Sequence, residues 1–229
     1  MPATGTFSAF PKLSEPLGLF GGTFDPVHFG HLRLAEEAVA QLGLGGVRWL
    51  PAGQPPHRGQ PQVTAGQRLQ MVRLATAGNP RFSVDAAEVE AAAPSYTVHT
   101  LERLRRELGP AQPLVLLVGA DAFAGLSGWH RWPELFRLAH VAVSHRPGFP
   151  VEAASLPAEL AGEFAARRQS DPALLQTAAA GCIVSFAMTQ LAISATQIRR
   201  LLANDLSARY LLPDEVLDYI QVHSLYRNP

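Results

Sequence analysis

The chain has 229 residues, of which 47% are hydrophobic and 17% are charged. This balance is typical of a folded globular protein, and the length is sufficient for one sizeable core. The 19 basic residues equal the 19 acidic residues in number, so the formal net charge is zero. A neutral chain has no overall field that attracts nucleic acid or a membrane surface. We therefore expect neither partner, and we expect any anion site to be built locally.

The sequence has the features expected of a cytoplasmic protein. Cys182 is the only cysteine, which excludes an intrachain disulfide and is typical of a reducing compartment. Residues 1–16 lack the basic and apolar segments of a signal peptide, and we expect them to form a flexible tail. The longest apolar stretch, residues 114–126, contains Asp121 and is too short to cross a bilayer.

Strand-like and helix-like segments alternate along the chain. Apolar runs predict strands at residues 17–20, 47–50, 82–84, 114–118, 141–144 and 183–186. Helical periodicity and capping signals predict helices at residues 32–42, 64–75, 98–108, 133–138, 156–166, 194–202 and 213–220. This alternation predicts a Rossmann-like α/β fold, a doubly wound and mostly parallel sheet with helices on both faces. We expect one domain over residues 1–229, with its ligands at the carboxyl ends of the strands.

Residues 21–31, G-G-T-F-D-P-V-H-F-G-H, connect the first predicted strand to the first predicted helix. A glycine turn at this point presents backbone N–H groups at the positive end of a helix, which favours a phosphate. His28 and His31 add two further donors within one helical turn. A tight turn decorated by two histidines is the structural alternative. A zinc site would need a third ligand at helical spacing or a cysteine partner, and neither is present.

A second turn of this kind lies at residues 193–199, I-S-A-T-Q-I-R. Ser194 and Gln197 have the spacing of a capping box. Thr196 adds a second hydroxyl, and Arg199 lies one turn into the predicted helix. An ordinary well-capped helix is the alternative interpretation. Two phosphate-binding turns in one α/β chain suit a triphosphate, although neither the dinucleotide fingerprint nor the P-loop motif occurs here.

The joint pattern resembles the H-x-G-H nucleotidyltransferase superfamily, and within it the nicotinate-nucleotide adenylyltransferases. Four further segments match that family: residues 55–58 (P-P-H-R), 93–97 (A-P-S-Y-T), 118–121 (V-G-A-D), and Trp129 followed by residues 145–148 (H-R-P-G). The resemblance covers residues 17–226. Ala195 stands where the family commonly has serine, which removes one hydroxyl contact, and Arg58 replaces a common lysine while keeping its charge.

The resemblance implies transfer of AMP from ATP to the 5′-phosphate of nicotinate mononucleotide, giving deamido-NAD and pyrophosphate. Mg²⁺ would accompany ATP, with no metal site of the protein's own. Because the attacking phosphate is already an anion, the protein's task is alignment and charge stabilisation. The implied catalytic residues are His31, His28 and Arg199. The implied ATP site comprises Gly21, Gly22, Thr23, Phe24, His28, His31, Gly119, Asp121, Ile193, Ser194, Thr196 and Arg199.

Within that ATP site, Gly119 and Asp121 would contact the adenosine ribose. The residues alone leave open that Gly119 only lets a helix approach and that Asp121 only caps it. For the acceptor, an indole would stack on the pyridine ring, backbone N–H groups at a helix start would bind the nicotinate carboxylate, and basic side chains would bind the phosphate. These groups are Trp129 for the ring, Tyr96 and Thr97 for the carboxylate, and His57, Arg58 and Arg146 for the phosphate.

Some alternatives stay open at this point. Trp132 competes with Trp129 for the pyridine ring, although its spacing predicts a residue that faces the core. His57 and Arg58 could belong to a solvated basic loop.

Adenylyl or cytidylyl transfer to phosphopantetheine or glycerol phosphate would use the same first turn. A nucleotide sensor without catalysis would be favoured by loss of a site histidine or arginine, but all are present. An aminoacyl-tRNA synthetase is disfavoured because no lysine follows Lys12. The oligomeric state is not predicted.

Overall fold

The computed structural model describes residues 14–55, 60–91 and 93–227. Within them, seven strands form one sheet in which every pair is parallel. The strands are β1 (Leu17–Gly22), β2 (Gly46–Pro51), β3 (Phe82–Val84), β4 (Leu114–Gly119), β5 (His140–His145), β6 (Arg168–Gln169) and β7 (Ile183–Ala187).

The helices that connect these strands are mostly of ordinary length for an α/β fold. They are α1 (Phe29–Leu42), α2 (Ala65–Thr76), α3 (Ala87–Glu90), α4 (Thr97–Leu108), α5 (Ala120–Ala124), α6 (Trp132–Leu138), α7 (Ala158–Arg167), α8 (Ala195–Ala203) and α9 (Asp214–Val222). Among these described helices, none combines the length and the hydrophobicity that a membrane span requires.

The strand order β3-β2-β1-β4-β5-β7-β6 confirms the predicted doubly wound, Rossmann-like architecture. The chain builds outward from β1 in one direction and returns to add β4 and its successors on the other side. The carboxyl ends of β1 and β4 therefore flank the switch point, where an open parallel sheet leaves a crevice for ligands.

Two apolar clusters cover the two faces of the sheet. Leu19 packs in one cluster and its neighbour Phe20 in the other, as the alternation of side chains along a strand requires. Helices α1, α2 and α9 contribute to the cluster of Phe20, whereas α4, α6 and α7 contribute to that of Leu19. The central strands are buried on both sides, which explains why they are continuously apolar in sequence.

The predicted boundaries differ from the observed ones mainly at short elements. The sequence pattern did not predict α3, α5 or β6. The alanine-rich stretch, residues 153–180, contains α7, β6 and the 3₁₀ turns Ala153–Ser155 and Pro172–Gln176. Helix α1 begins at Phe29 instead of residue 32, because His28 is extended and acts as its N-cap. Most of the expected tail, residues 1–13, lies outside the described residues.

Candidate active site

A cleft of about 1290 Å³ opens at the carboxyl ends of β1 and β4. It brings together the two turns that the sequence predicts to bind phosphate, although they are far apart in sequence. The predicted site residues that line it are Gly21, Gly22, Thr23, Phe24, His28, His31, Tyr96, Thr97, Gly119, Asp121, Trp129, Arg146, Ile193, Ser194, Thr196 and Arg199. His57 and Arg58 lie outside the described residues.

The two histidines of the first turn are held in one arrangement. Their rings stack with centroids 3.7 Å apart, and the backbone N–H of His28 donates to Nδ1 of His31 over 3.2 Å. A ring nitrogen that accepts is unprotonated, so the proton of neutral His31 is on Nε2. A Cβ at Gly30 would lie 3.0 Å from Nδ1 of His28, which explains the glycine between the two histidines.

His28 is buried and uncharged at neutral pH. Its side chain is desolvated, which lowers its pKa to about 4. Within the described part of the chain, its Nδ1 atom has no hydrogen-bond partner. A buried polar atom without a partner is costly, and a bound ligand could satisfy it.

Arg199, the fifth residue of α8, links this helix to the glycine turn before α1. Its guanidinium donates to the backbone oxygen of Asp25 over 2.6 Å and to the hydroxyl of Thr196 over 3.3 Å. Its Nε atom has no partner among the described residues. The guanidinium is thereby fixed at the edge of the glycine turn, with its side chain on the cleft wall.

Asp25 and Arg68 are structural residues of the site that the sequence did not single out. Both oxygens of Asp25 accept hydrogen bonds, from the Tyr226 hydroxyl over 2.7 Å and from the Gln62 backbone over 2.9 Å. Arg68 is 1% exposed and donates to the backbone oxygens of Thr23 and Gly53. Burial lowers the pKa of Arg68, and the nearby Asp25 opposes that shift. The helical spacing of Arg68 to the apolar residues of α2 was the signal that could have revealed it.

The N-terminus of α8 faces the cleft next to Arg199. Ser194 is the N-cap, and its hydroxyl accepts from the Gln197 backbone over 3.1 Å. The predicted capping box also requires the Gln197 side chain to accept from the Ser194 backbone N–H, and this bond is not formed within the described residues. The backbone N–H groups of Ala195 and Thr196 make no hydrogen bond within the described residues, and they are the donors that this helix offers.

The start of α4 lies on the opposite side of the cleft. The backbone N–H of Tyr96 donates to the carbonyl of Pro94 over 3.1 Å, so it already has a partner within the chain. The residue before the helix thus closes a short turn, and a contact of Tyr96 with the nicotinate carboxylate stays a prediction. The N–H of Thr97 makes no hydrogen bond within the described residues and lies on the cleft wall.

The two tryptophans occupy different environments. Trp129 lines the cleft, whereas Trp132 lies edge-on against Phe136 with ring centroids 6.1 Å apart. The ring of His130, which follows Trp129, packs at 4.5 Å on Tyr96. An indole surface is therefore present beside the start of α4.

The remaining predicted residues stand at the ends of strands. Gly119 ends β4 and caps α5, and the exposed carboxylate of Asp121 lies in the first turn of that helix. Arg146 follows β5 and is exposed. Among the described residues, no group of three histidine, cysteine, aspartate or glutamate side chains is placed to hold a metal ion.

The comparisons with known proteins agree with this arrangement. Residues 19–201 match the family model described as cytidylyltransferase-like. The chain is 80% identical, over 94% of its length and 100% of the relative, to a probable nicotinate-nucleotide adenylyltransferase of Dechloromonas aromatica (strain RCB). A protein of the same name from Pseudomonas putida (strain W619) is 53% identical over 93% of this chain and 95% of its own.

A solved structure has the same fold at low sequence identity. The Plasmodium falciparum nicotinic acid mononucleotide adenylyltransferase complexed with NaAD matches with a TM-score of 0.68 at 14% identity. The match covers 93% of this chain and 98% of that one.

Proposed function

The chain belongs to the nicotinate-nucleotide adenylyltransferase family, within the cytidylyltransferase-like group, and we propose that it makes deamido-NAD in NAD biosynthesis. A 5′-phosphate oxygen of nicotinate mononucleotide attacks the α-phosphorus of ATP. The bond between that phosphorus and the bridging oxygen to the β-phosphate breaks, and pyrophosphate leaves. No proton has to be removed from the nucleophile, because the phosphate is already an anion.

One observation carries this proposal: His31 and Arg199 line the same cleft, beside the N-termini of two helices. Each N-terminus places the positive end of a helix dipole beside the cleft, and α8 also offers the backbone N–H groups of Ala195 and Thr196. A triphosphate that lies between α1 and α8 would contact donors along its whole length. Such positioning and charge stabilisation is the main catalytic demand of phosphoryl transfer.

The polar residues on the ATP side of the cleft have separate proposed roles. The Nε2 proton of His31 would stabilise charge that develops on the α-phosphate, and neutral His28 would satisfy its buried Nδ1 on the triphosphate or on water. Arg199 and the N–H groups before it would bind the β- and γ-phosphates and the departing pyrophosphate. Gly119 and Asp121 would contact the adenosine ribose, as an acidic group after a strand does in other nucleotide sites.

We propose that ATP binds as its Mg²⁺ complex, in which the ion neutralises charge on the phosphates. The phosphates themselves would supply most of the ligands. Asp25, the acidic residue of the glycine turn, already accepts hydrogen bonds on both oxygens. Its place is therefore in the scaffold of the turn.

For the acceptor, we propose that Trp129 stacks on the pyridine ring and that the Thr97 N–H binds the nicotinate carboxylate. Arg146 would bind the mononucleotide phosphate, and the roles of His57 and Arg58 there stay predictions. A donor aimed at a carboxylate is mismatched with the NH₂ group of the amide, and such mismatches discriminate strongly. We also propose that the enzyme acts in the cytoplasm, where its single cysteine would stay reduced.

The test is a comparison of acceptors under identical conditions. Pyrophosphate release and dinucleotide formation are measured with ATP and nicotinate mononucleotide, nicotinamide mononucleotide or phosphopantetheine, with CTP in place of ATP as the nucleotide control. We expect the highest kcat/KM with ATP and nicotinate mononucleotide. Turnover with phosphopantetheine and none with nicotinate mononucleotide would contradict the proposal.

A further inference from the structure

Glu88 lies in the cleft wall behind the start of α4 and belongs to none of the sequence motifs of the site. It belongs to the short helix α3, and its carboxylate accepts from the hydroxyl of Thr100 over 2.5 Å. It also forms a side-chain hydrogen bond with Ser95. One carboxylate thus binds residues on both sides of Thr97.

The direction of each hydrogen bond in this network is fixed. Ser95 Oγ accepts from the backbone N–H of Gly53 over 2.9 Å and from that of Gln54 over 3.3 Å. A serine hydroxyl has a single proton to donate, so that proton goes to Glu88. Thr100 is buried and likewise donates its proton to the same carboxylate. Glu88 is the acceptor at the centre of the network.

The network holds the first turn of α4 against the loop that follows β2. The backbone N–H of Ser95 donates to the carbonyl of Gln54 over 3.0 Å. A Cβ at Gly53 would lie 2.0 Å from the backbone oxygen of Glu88, so this loop and α3 are in direct backbone contact. Because Ser95 and Thr100 are both secured, the N–H of Thr97 between them has little freedom to change direction.

We propose that Glu88 is a positioning residue that sets the preference for the acid over the amide mononucleotide by fixing the Thr97 N–H. This inference rests on the proposed function. Burial raises the pKa of Glu88, and the hydrogen bonds from Thr100 and Ser95 oppose that shift. The carboxylate is therefore engaged with hydroxyl groups of the protein, and it acts on the acceptor through the backbone geometry of α4.

The experiment measures kcat and KM for both mononucleotides with ATP in Glu88→Ala, Glu88→Gln and Glu90→Ala. Glu90 is on the same helix, but its side chain is exposed, which makes it the matched control. We expect Glu88→Ala to lower the acid-to-amide ratio of kcat/KM by about tenfold, mainly through KM for the acid, while KM for ATP stays within about twofold. Glu88→Gln keeps an acceptor for Thr100 and should restore most of the ratio. Glu90→Ala should match the wild type.

The direction in which the acid-to-amide ratio of kcat/KM changes distinguishes a positioning role of Glu88 from a simple effect of its charge. If Glu88 acted only through its negative charge beside an anion site, both Glu88→Ala and Glu88→Gln would raise the ratio, which would overturn the inference. Thr100→Val removes one hydrogen bond at nearly constant volume, and it tests the same network if Glu88→Ala does not fold. A ratio unchanged in Thr100→Val and in both Glu88 variants would also overturn it. If the wild type used neither mononucleotide, the proposed function itself would fail.

Discussion

The hydroxyl of Tyr226 lies 2.7 Å from a carboxylate oxygen of Asp25, although 201 positions separate the two residues. Both side chains are buried. Burial, together with the nearby Asp25, raises the pKa of Tyr226, so the phenol keeps its proton and donates it. Because the backbone oxygen of Asp25 also accepts from Arg199, the last part of the described chain supports the glycine turn that we propose binds the triphosphate.

We expect Tyr226→Phe to lower both stability and turnover. The substitution keeps the ring but leaves a buried carboxylate oxygen without its donor, which costs about 1–3 kcal/mol of the free energy of unfolding. It also loosens the anchor of Arg199, so kcat should fall while KM for the acceptor changes little. Denaturant unfolding and steady-state kinetics measure the two effects. Tyr219→Phe is the control, since that hydroxyl makes no hydrogen bond within the described residues. Wild-type values of both quantities in Tyr226→Phe would show that the bond has no role.

His31→Ala should remove the donor that we propose stabilises charge on the α-phosphate. Loss of one such donor costs about 10²–10³ in rate. We expect a fall of that size in kcat, with a modest change in KM for nicotinate mononucleotide. His223→Ala, at the exposed end of α9 and outside the cleft, is the matched histidine control. Full turnover in His31→Ala would remove the catalytic assignment.

The sequence could predict the elements whose pattern is local and long enough to be periodic. Strand β4 was predicted to within one residue at its end, and α4 to within one residue at its start, because the apolar pattern and the glycine after the helix are local signals. Helix α3 and strand β6 are too short to leave a period of 3.6 or 2 residues.

The same distinction applies to the site. The glycine turn and the start of α8 were recognisable because their donors are consecutive in sequence. The partners that hold them, such as Tyr226 for Asp25, are set by tertiary packing across most of the chain. Glu88 was missed for that reason too, since its role depends on α3 packing against a loop and a helix.

Trp129→Ala should mainly weaken acceptor binding. An aromatic stack contributes about 0.5–1.5 kcal/mol beyond the area that it buries, so we expect KM for nicotinate mononucleotide to rise about tenfold. The expected change in kcat at saturating substrate is small. Trp132→Ala provides the contrast, because its ring packs on Phe136 and its loss should lower the free energy of unfolding without raising KM. Equal KM values in wild type and Trp129→Ala would contradict the stacking role.

The stability of the protein should fall as the pH is lowered from 7 towards 5, through His140. This imidazole is fully buried at the start of β5, where Nδ1 accepts from the Cys182 backbone and Nε2 contacts the Ala178 carbonyl over 2.9 Å. Burial lowers its pKa below 6.5, with the hydrogen bond to Ala178 acting in the opposite direction and Arg105 adding to the decrease.

A histidine whose folded pKa is lowered binds fewer protons in the folded state than in the unfolded chain below pH 6.5. The free energy of unfolding therefore rises with pH in this range. The contribution of the buried histidine is complete above the unfolded pKa and is lost as the pH falls below it. His28, with its pKa lowered to about 4, adds a loss of the same sign between pH 6.5 and 4. Denaturant unfolding at a series of pH values measures the slope. His140→Gln keeps one donor and one acceptor without titrating, so it should flatten the slope, whereas His223→Gln should not. A wild-type slope in His140→Gln would mean that the proton is taken up elsewhere.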